Sequence, residues 1–140
     1  MTQQSQGSAI VNRMMKDDAF SRWLGIEVIE SGPGLSVLRM KVRAEMMNGF
    51  GVGHGGITFS LADSALAFAS NAHGRLSLAL EVSISFPTPV HEGDTLTAHA
   101  EELSLTNRTG LYLITVTNQH EEKVAVFKGT VYRTSKEWEV

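Results

Sequence analysis

The chain has 140 residues, 42% hydrophobic and 19% charged, with a formal net charge of -3, which suffices for one compact domain with its own core and is too short for two. The absence of cysteine excludes disulfides, zinc–thiolate sites and a thiol nucleophile. The charge balance excludes a global attraction for nucleic acid, so an anionic group would have to be held by a local arginine cluster, and the histidines at 54, 73, 91, 99 and 120 form no close ligand pair, so no metal site is expected.

Residues 1–8, MTQQSQGS, read as a flexible polar leader, with neither the basic nor the apolar region of a secretory signal. The longest fully apolar run, Ala65 to Ala69, falls far short of the ~20 residues that cross a bilayer. A cytoplasmic protein without membrane association is expected. The remainder, 9–140, reads as a single domain. Over 9–24 the apolar positions Ile10, Val11, Met14, Met15, Phe20, Trp23 and Leu24 follow a loose helical period. Ile26 to Ser31 and Leu35 to Arg43 flank Ser31-Gly32-Pro33-Gly34 and read as a hairpin. In its second strand Leu38, Met40 and Val42 alternate with Arg39, Lys41 and Arg43, which predicts one buried and one wet face.

A glycine-rich loop then leads into Gly56–Asn71, apolar nearly all round and therefore a buried helix. Leu76, Leu78, Leu80, Val82, Ile84 and Phe86 alternate with smaller or polar residues, which predicts a long half-buried strand ended by Pro87 and Pro89. Three further strands are expected near 94–105, 109–118 and 123–134. The shift in apolar phase from Leu96 and Ala98 to Leu103 and Leu105 predicts a bulge near Glu101. Short turns make these strands antiparallel neighbours, so the fold class is α+β, one meandering sheet with a single central helix packed on it.

The loop Asn48-Gly49-Phe50-Gly51-Val52-Gly53-His54-Gly55-Gly56 lets its backbone approach a ligand closely. The amides of Gly55, Gly56 and Ile57 belong to the unpaired donors of a helix N-terminus, which could serve as an oxyanion hole; crowded packing or a flexible connector would explain the glycines equally well. Gly51, Gly53 and Gly56 also satisfy GxGxxG, but a dinucleotide fold needs a buried parallel strand before the loop and further βα units after it, and only strands follow. Asp63 sits mid-helix, with Phe59, Ser60, Leu66 and Ala67 three and four positions away and no cation among them. A carboxylate there is either functional, solvent-facing, or paired with an arginine from another strand. His54 reads as a structural or proton-transferring residue before the helix, and Asn48 as a turn residue or a positioning amide.

The run Asn48-Gly49 followed by His54-Gly55-Gly56-Ile57-Thr58-Phe59-Ser60-Leu61-Ala62-Asp63 resembles the phenylacetate-degradation (PaaI-type) acyl-CoA thioesterases of the hot-dog superfamily, and the strand order is consistent from about residue 20 to 134. The resemblance implies a sheet wrapped around the helix, edge-to-edge homodimers that pair again into homotetramers, and active sites between subunits. It implies Asp63 as nucleophile or general base, the Gly55 amide as the donor that polarises the thioester carbonyl, and Asn48 and His54 in support. No cofactor is implied, because coenzyme A is part of the substrate. Gly56, Arg108, Thr109 and Arg75 are expected to hold the substrate and its CoA phosphates. Thr88 stands where the family often has an arginine, and Ala79 where some relatives carry a hydroxyl, so phenylacetyl-CoA is one candidate among small aryl substrates. A hot-dog β-hydroxyacyl dehydratase and a non-catalytic acyl-CoA-binding module are the rival functions.

Overall fold

In the computed structural model, which describes residues 2–140, the polar residues expected as a leader form the first turns of a helix. Helix α1 spans Gln3–Asp17 and α2 spans Ala19–Leu24, in place of one helix over 9–24. Side-chain caps account for both differences. Thr2 accepts the Ser5 amide and starts α1 ahead of residue 9, while Asp18 accepts the Ser21 amide and opens a second helix where the first stops. α1 buries Gly7, Ile10 and Val11. A side chain at Gly7 would meet the Ala72 carbonyl oxygen at 3.0 Å, so glycine there permits the close approach. Met1, the start of the expected leader, lies outside the described residues.

The strands β1 (Glu27–Gly32), β2 (Leu35–Lys41), β3 (Arg75–Ser85), β4 (Thr95–Leu105), β5 (Thr109–Thr117) and β6 (Lys123–Glu137) form one antiparallel sheet in the order β1-β2-β4-β5-β6-β3. Helix α3 (Gly55–Asn71) packs against strands from one end of this sheet to the other. This is the α+β hot-dog fold that the resemblance implies. Leu38, Met40 and Val42 are buried, as their alternation predicts, and meet Leu61, Ala62, Ala65 and Leu66 of α3 together with Leu96, Ala98, Ile114 and Val116. Each of the larger side chains contributes about 1.5–3 kcal/mol by leaving water, so helix and sheet stabilise one another.

Bulges decide which side chains reach that core. In β4 the register shifts between Glu102 and Ser104, next to the position the phase change predicts. Leu103 is pushed outward and half exposed, while Glu102 binds His73 Nε2 at 2.6 Å and accepts the Tyr112 hydroxyl at 2.9 Å. Burial, reinforced by Glu102, drives the Tyr112 pKa upward and keeps that hydroxyl a donor. β3 departs from expectation. Its register shifts between Arg75 and Ser77 and again between Ala79 and Glu81, so Leu78 and Leu80, expected on the buried face, are 57% and 62% exposed. Only Val82 and Ile84 of that alternating set pack on the core.

The two borders of the sheet differ. Alongside β1 lies α1, whose Gln4 Nε2 and Ser8 Oγ both donate to the Ser31 carbonyl, at 2.5 and 3.3 Å. β3 pairs only with β6 and leaves its other side open, flanked by the exposed Leu78 and Leu80. No helix among the described residues is long and apolar enough to cross a membrane.

Candidate active site

The loop before α3 is tied down by its own hydrogen bonds. The Asn48 amide donates to the Val52 carbonyl at 2.8 Å, and the Asn48 Oδ1 accepts the amides of Phe50 and Val52 at 2.9 and 3.3 Å. Asn48 thus performs the turn role, its side-chain oxygen fully occupied by the loop. Gly51 has a φ of +80° inside this turn, a conformation that glycine adopts without steric cost. The His54 and Gly53 amides then anchor the loop to the Met46 and Val90 carbonyls at 2.8 and 2.6 Å.

His54 is the N-cap of α3, with its Nδ1 accepting the Gly56 amide at 2.9 Å. A Cβ at Gly56 would lie 2.9 Å from that nitrogen, so the imidazole cap requires glycine there. Of the three amides that could face a ligand, Gly56 is therefore taken by the His54 ring, and Ile57 donates to the His54 carbonyl at 3.1 Å. Gly55 is left. Among the described residues its N–H meets no acceptor, at the end of a helix whose dipole favours negative charge. The Phe86 ring lies over this position, 3.2 Å from where a Cβ would stand.

Asp63 lies farther along α3, and among the described residues no side chain or backbone group bonds or pairs with its carboxylate. The arginine partner that would have given it a purely structural role is absent among the described residues. Burial raises its pKa above the ordinary 3.8, and the neighbouring Asp18 raises it further. Asp18 is held in place by its cap, accepting the Ser21 amide and hydroxyl at 2.9 and 2.7 Å. Asp63 shares a helix face with Leu66, Ala67 and Ser70, and with them lines a cavity of about 300 Å³ bordered also by Leu76, Leu78, Val131 and Trp138. One ionisable group in an apolar recess makes a basic oxygen, the property a hydrolytic general base or nucleophile needs.

The expected phosphate ligands cluster at the β4–β5 turn. Arg75 Nη2 donates to the Asn107 carbonyl at 2.5 Å, and the Thr109 amide and hydroxyl close the turn on Thr106 Oγ1 at 3.0 and 2.9 Å. The sequence pattern does not single out Arg133, whose Nη1 donates to the Thr106 carbonyl at 2.6 Å and whose amide donates to the Arg108 carbonyl at 2.7 Å. Burial, and then the nearby Arg75, lower the Arg133 pKa. Arg108 is exposed, and its guanidinium makes no hydrogen bond among the described residues.

Residues 50–125 match the family model described as the thioesterase superfamily. The acyl-coenzyme A thioesterase PaaI of Escherichia coli K12 is 42% identical over 120 residues, covering 86% of this chain and 86% of that protein. The structure of the E. coli PaaI protein from the phenylacetic acid degradation operon superposes with a TM-score of 0.95 at 37% identity, covering 97% of this chain and 99% of that one. A protein from Streptococcus mutans UA159 bound to acetyl CoA superposes with a TM-score of 0.78 at 26% identity, covering 81% and 91% of the two chains.

Proposed function

Because this chain belongs to the thioesterase superfamily, we propose that it is an acyl-CoA thioesterase cleaving a small aryl- or phenylacetyl-CoA-like substrate to the free acid and CoA, with Asp63 as its catalytic carboxylate. The unpaired Asp63 carboxylate at the apolar cavity is the observation that carries this reading. As general base it takes a proton from water, whose oxygen attacks the thioester carbon; as nucleophile it attacks that carbon itself, and water then releases the acid. Either way negative charge collects on the carbonyl oxygen, where the Gly55 N–H supplies a fixed donor, and the C–S bond breaks to release the CoA thiolate.

Gly55 and Asp63 lie on the same helix, and at 1.5 Å per residue they are ~12 Å apart along its axis. One carbonyl cannot meet both within a single chain. A second chain docked along the open edge of β3 brings its Gly55 toward this Asp63, so the working unit is a homodimer with two shared sites, and the family resemblance extends it to a homotetramer. The exposed Leu78 and Leu80 beside that edge support this pairing.

The direct test releases free thiol from a panel of acyl-CoAs and traps it with a chromogenic disulfide; the cysteine-free chain adds no background. Turnover of phenylacetyl- or benzoyl-CoA is expected. Binding without thiol release, or loss of water from a hydroxyacyl-CoA in its place, overturns the proposal.

Arg108 is proposed to bind the CoA phosphates, with Arg75, Thr109 and Arg133 holding its turn in position. Arg108→Ala is expected to raise KM for acyl-CoA by about 5- to 20-fold, the loss of one charge-assisted contact, with kcat little changed. A truncated thioester lacking the nucleotide should be hydrolysed equally by both proteins. Equal losses on the two substrates would reject the phosphate role.

A further inference from the structure

Trp138 lies beyond the residues that match the family model and was not among the expected site residues, yet it lines three adjoining hollows. It lines the inner, mainly apolar cavity that holds Asp63, of about 300 Å³. It also borders an outer groove of about 700 Å³ shared with Ser135, Lys136, Glu137 and Glu139, and a smaller one of about 260 Å³ with Arg13, Asp17 and Asp18. The inner cavity is lined mainly by aliphatic groups and the outer hollows by charged ones. Trp138 is shared by all three, while Leu76 borders the inner cavity and the larger groove and Met14 the inner cavity and the smaller one.

The indole is held rigidly. The Trp138 indole Nε1–H donates to Asn71 Oδ1 at 2.9 Å, and the Trp138 backbone amide donates to the Gly74 carbonyl at 2.8 Å. Asn71 is itself 2% exposed, with its Nδ2 donating to the Ala67 and Ser77 carbonyls at 2.8 and 3.1 Å and its Oδ1 also accepting the Ser77 amide at 2.9 Å. Every polar atom of that amide side chain is engaged, so the oxygen that receives the indole cannot turn away. A ring pinned at both its backbone and its nitrogen fixes one wall of the cavity.

We propose that Trp138 is a specificity-determining residue, the stop that sets the longest acyl group this enzyme accepts; the proposal rests on the reading of the Asp63 cavity as the acyl site. An acyl group whose thioester lies at Asp63 extends into the aliphatic recess until it meets the indole. With the indole removed, the recess opens into the larger groove, and a longer chain passes through.

Trp138→Ala and Trp138→Phe are compared with the wild type on straight-chain substrates from acetyl-CoA to dodecanoyl-CoA. The wild type is expected to lose kcat/KM sharply beyond one chain length. Trp138→Ala should move that limit to longer chains, with a gain of about 10-fold or more at the first length the wild type rejects, the scale of a methylene fitted or excluded by an apolar pocket. Trp138→Phe, which keeps a ring, should hold the limit near its wild-type position. An unchanged limit in Trp138→Ala overturns the proposal.

A second measurement needs neither turnover nor a stable cavity variant. The chain has two tryptophans, so Trp23→Phe, on α2 and outside this cavity, leaves Trp138 as the only indole reporter. Saturating S-alkyl-CoA thioethers that fill the recess should shift its emission, whereas bound thioethers that leave it unshifted overturn the contact. If the wild type hydrolyses no acyl-CoA, the thioesterase reading falls, and the fluorescence titration still decides whether Trp138 ends the acyl site.

Discussion

Asp63→Asn is expected to hydrolyse the best acyl-CoA about 10²- to 10⁴-fold more slowly than the wild type, the usual worth of a positioned base, and to melt at a higher temperature at neutral pH. The two effects share one cause. The carboxylate has no partner among the described residues in its apolar recess, and asparagine keeps its shape while removing both the basic oxygen and the half-buried charge. The folded pKa is raised above 3.8 by burial and then by Asp18, so the folded chain holds this proton to higher pH than the unfolded chain does. The stability from the neutral form is complete below 3.8 and is lost as pH rises through the folded value. The melting-temperature advantage of Asp63→Asn should therefore grow across that window and vanish at its acid end. The wild-type rate should fall on acidification with a midpoint above 3.8, because only the ionised group is a base. A variant with near-wild-type turnover, or a melting advantage that grows toward acid, would remove Asp63 from the mechanism.

Gly55→Pro is expected to lower kcat by about 10²- to 10³-fold, the usual cost of losing one oxyanion donor. Proline at the first position of a helix removes an N–H that has no helical partner and keeps the backbone in place. His54, at φ -63° and ψ 131°, already has the extended conformation that precedes a proline. The added ring atoms would press on the tip of Phe86, a half-exposed side chain with room to turn. Mixed in equal amounts with Asp63→Asn and refolded together, Gly55→Pro should recover about a quarter of wild-type activity: half the dimers are mixed, and each of those carries one intact and one doubly altered site. Sites built within single chains would regain nothing. A mixture that stays at the level of the separate variants, with subunit exchange verified by mass spectrometry, would reject the shared site.

Features that depend on near neighbours in the chain are legible in the amino-acid sequence. The buried face of Leu38, Met40 and Val42, the buried helix and the isolation of Asp63 on it all follow from positions within two turns or four strand residues. The β4 bulge is legible too, because the apolar phase itself slips across it. In β3 the leucines keep strict alternation straight through the register shift at Ala79 and Glu81. Leu78 and Leu80 therefore imitate a buried face. Trp138 and Arg133 escape notice for a different reason: their partners, Asn71 and Thr106, lie 67 and 27 residues away in sequence. The three N-terminal amides of α3 look equivalent in sequence, and only the His54 ring and carbonyl separate Gly55 from its neighbours.

The attachment of Gln4 and Ser8 to Ser31 bears on how many copies of this chain can join. A subunit with two sticky borders adds neighbours head to tail without end, and the product is a fibre. Here α1 engages the Ser31 end of the β1 border, so strand pairing through the open β3 edge, as proposed, would close after two chains, and the proposed tetramer would form through other surfaces. Residues 2–8 would then act as a chain terminator in the polymer chemist's sense.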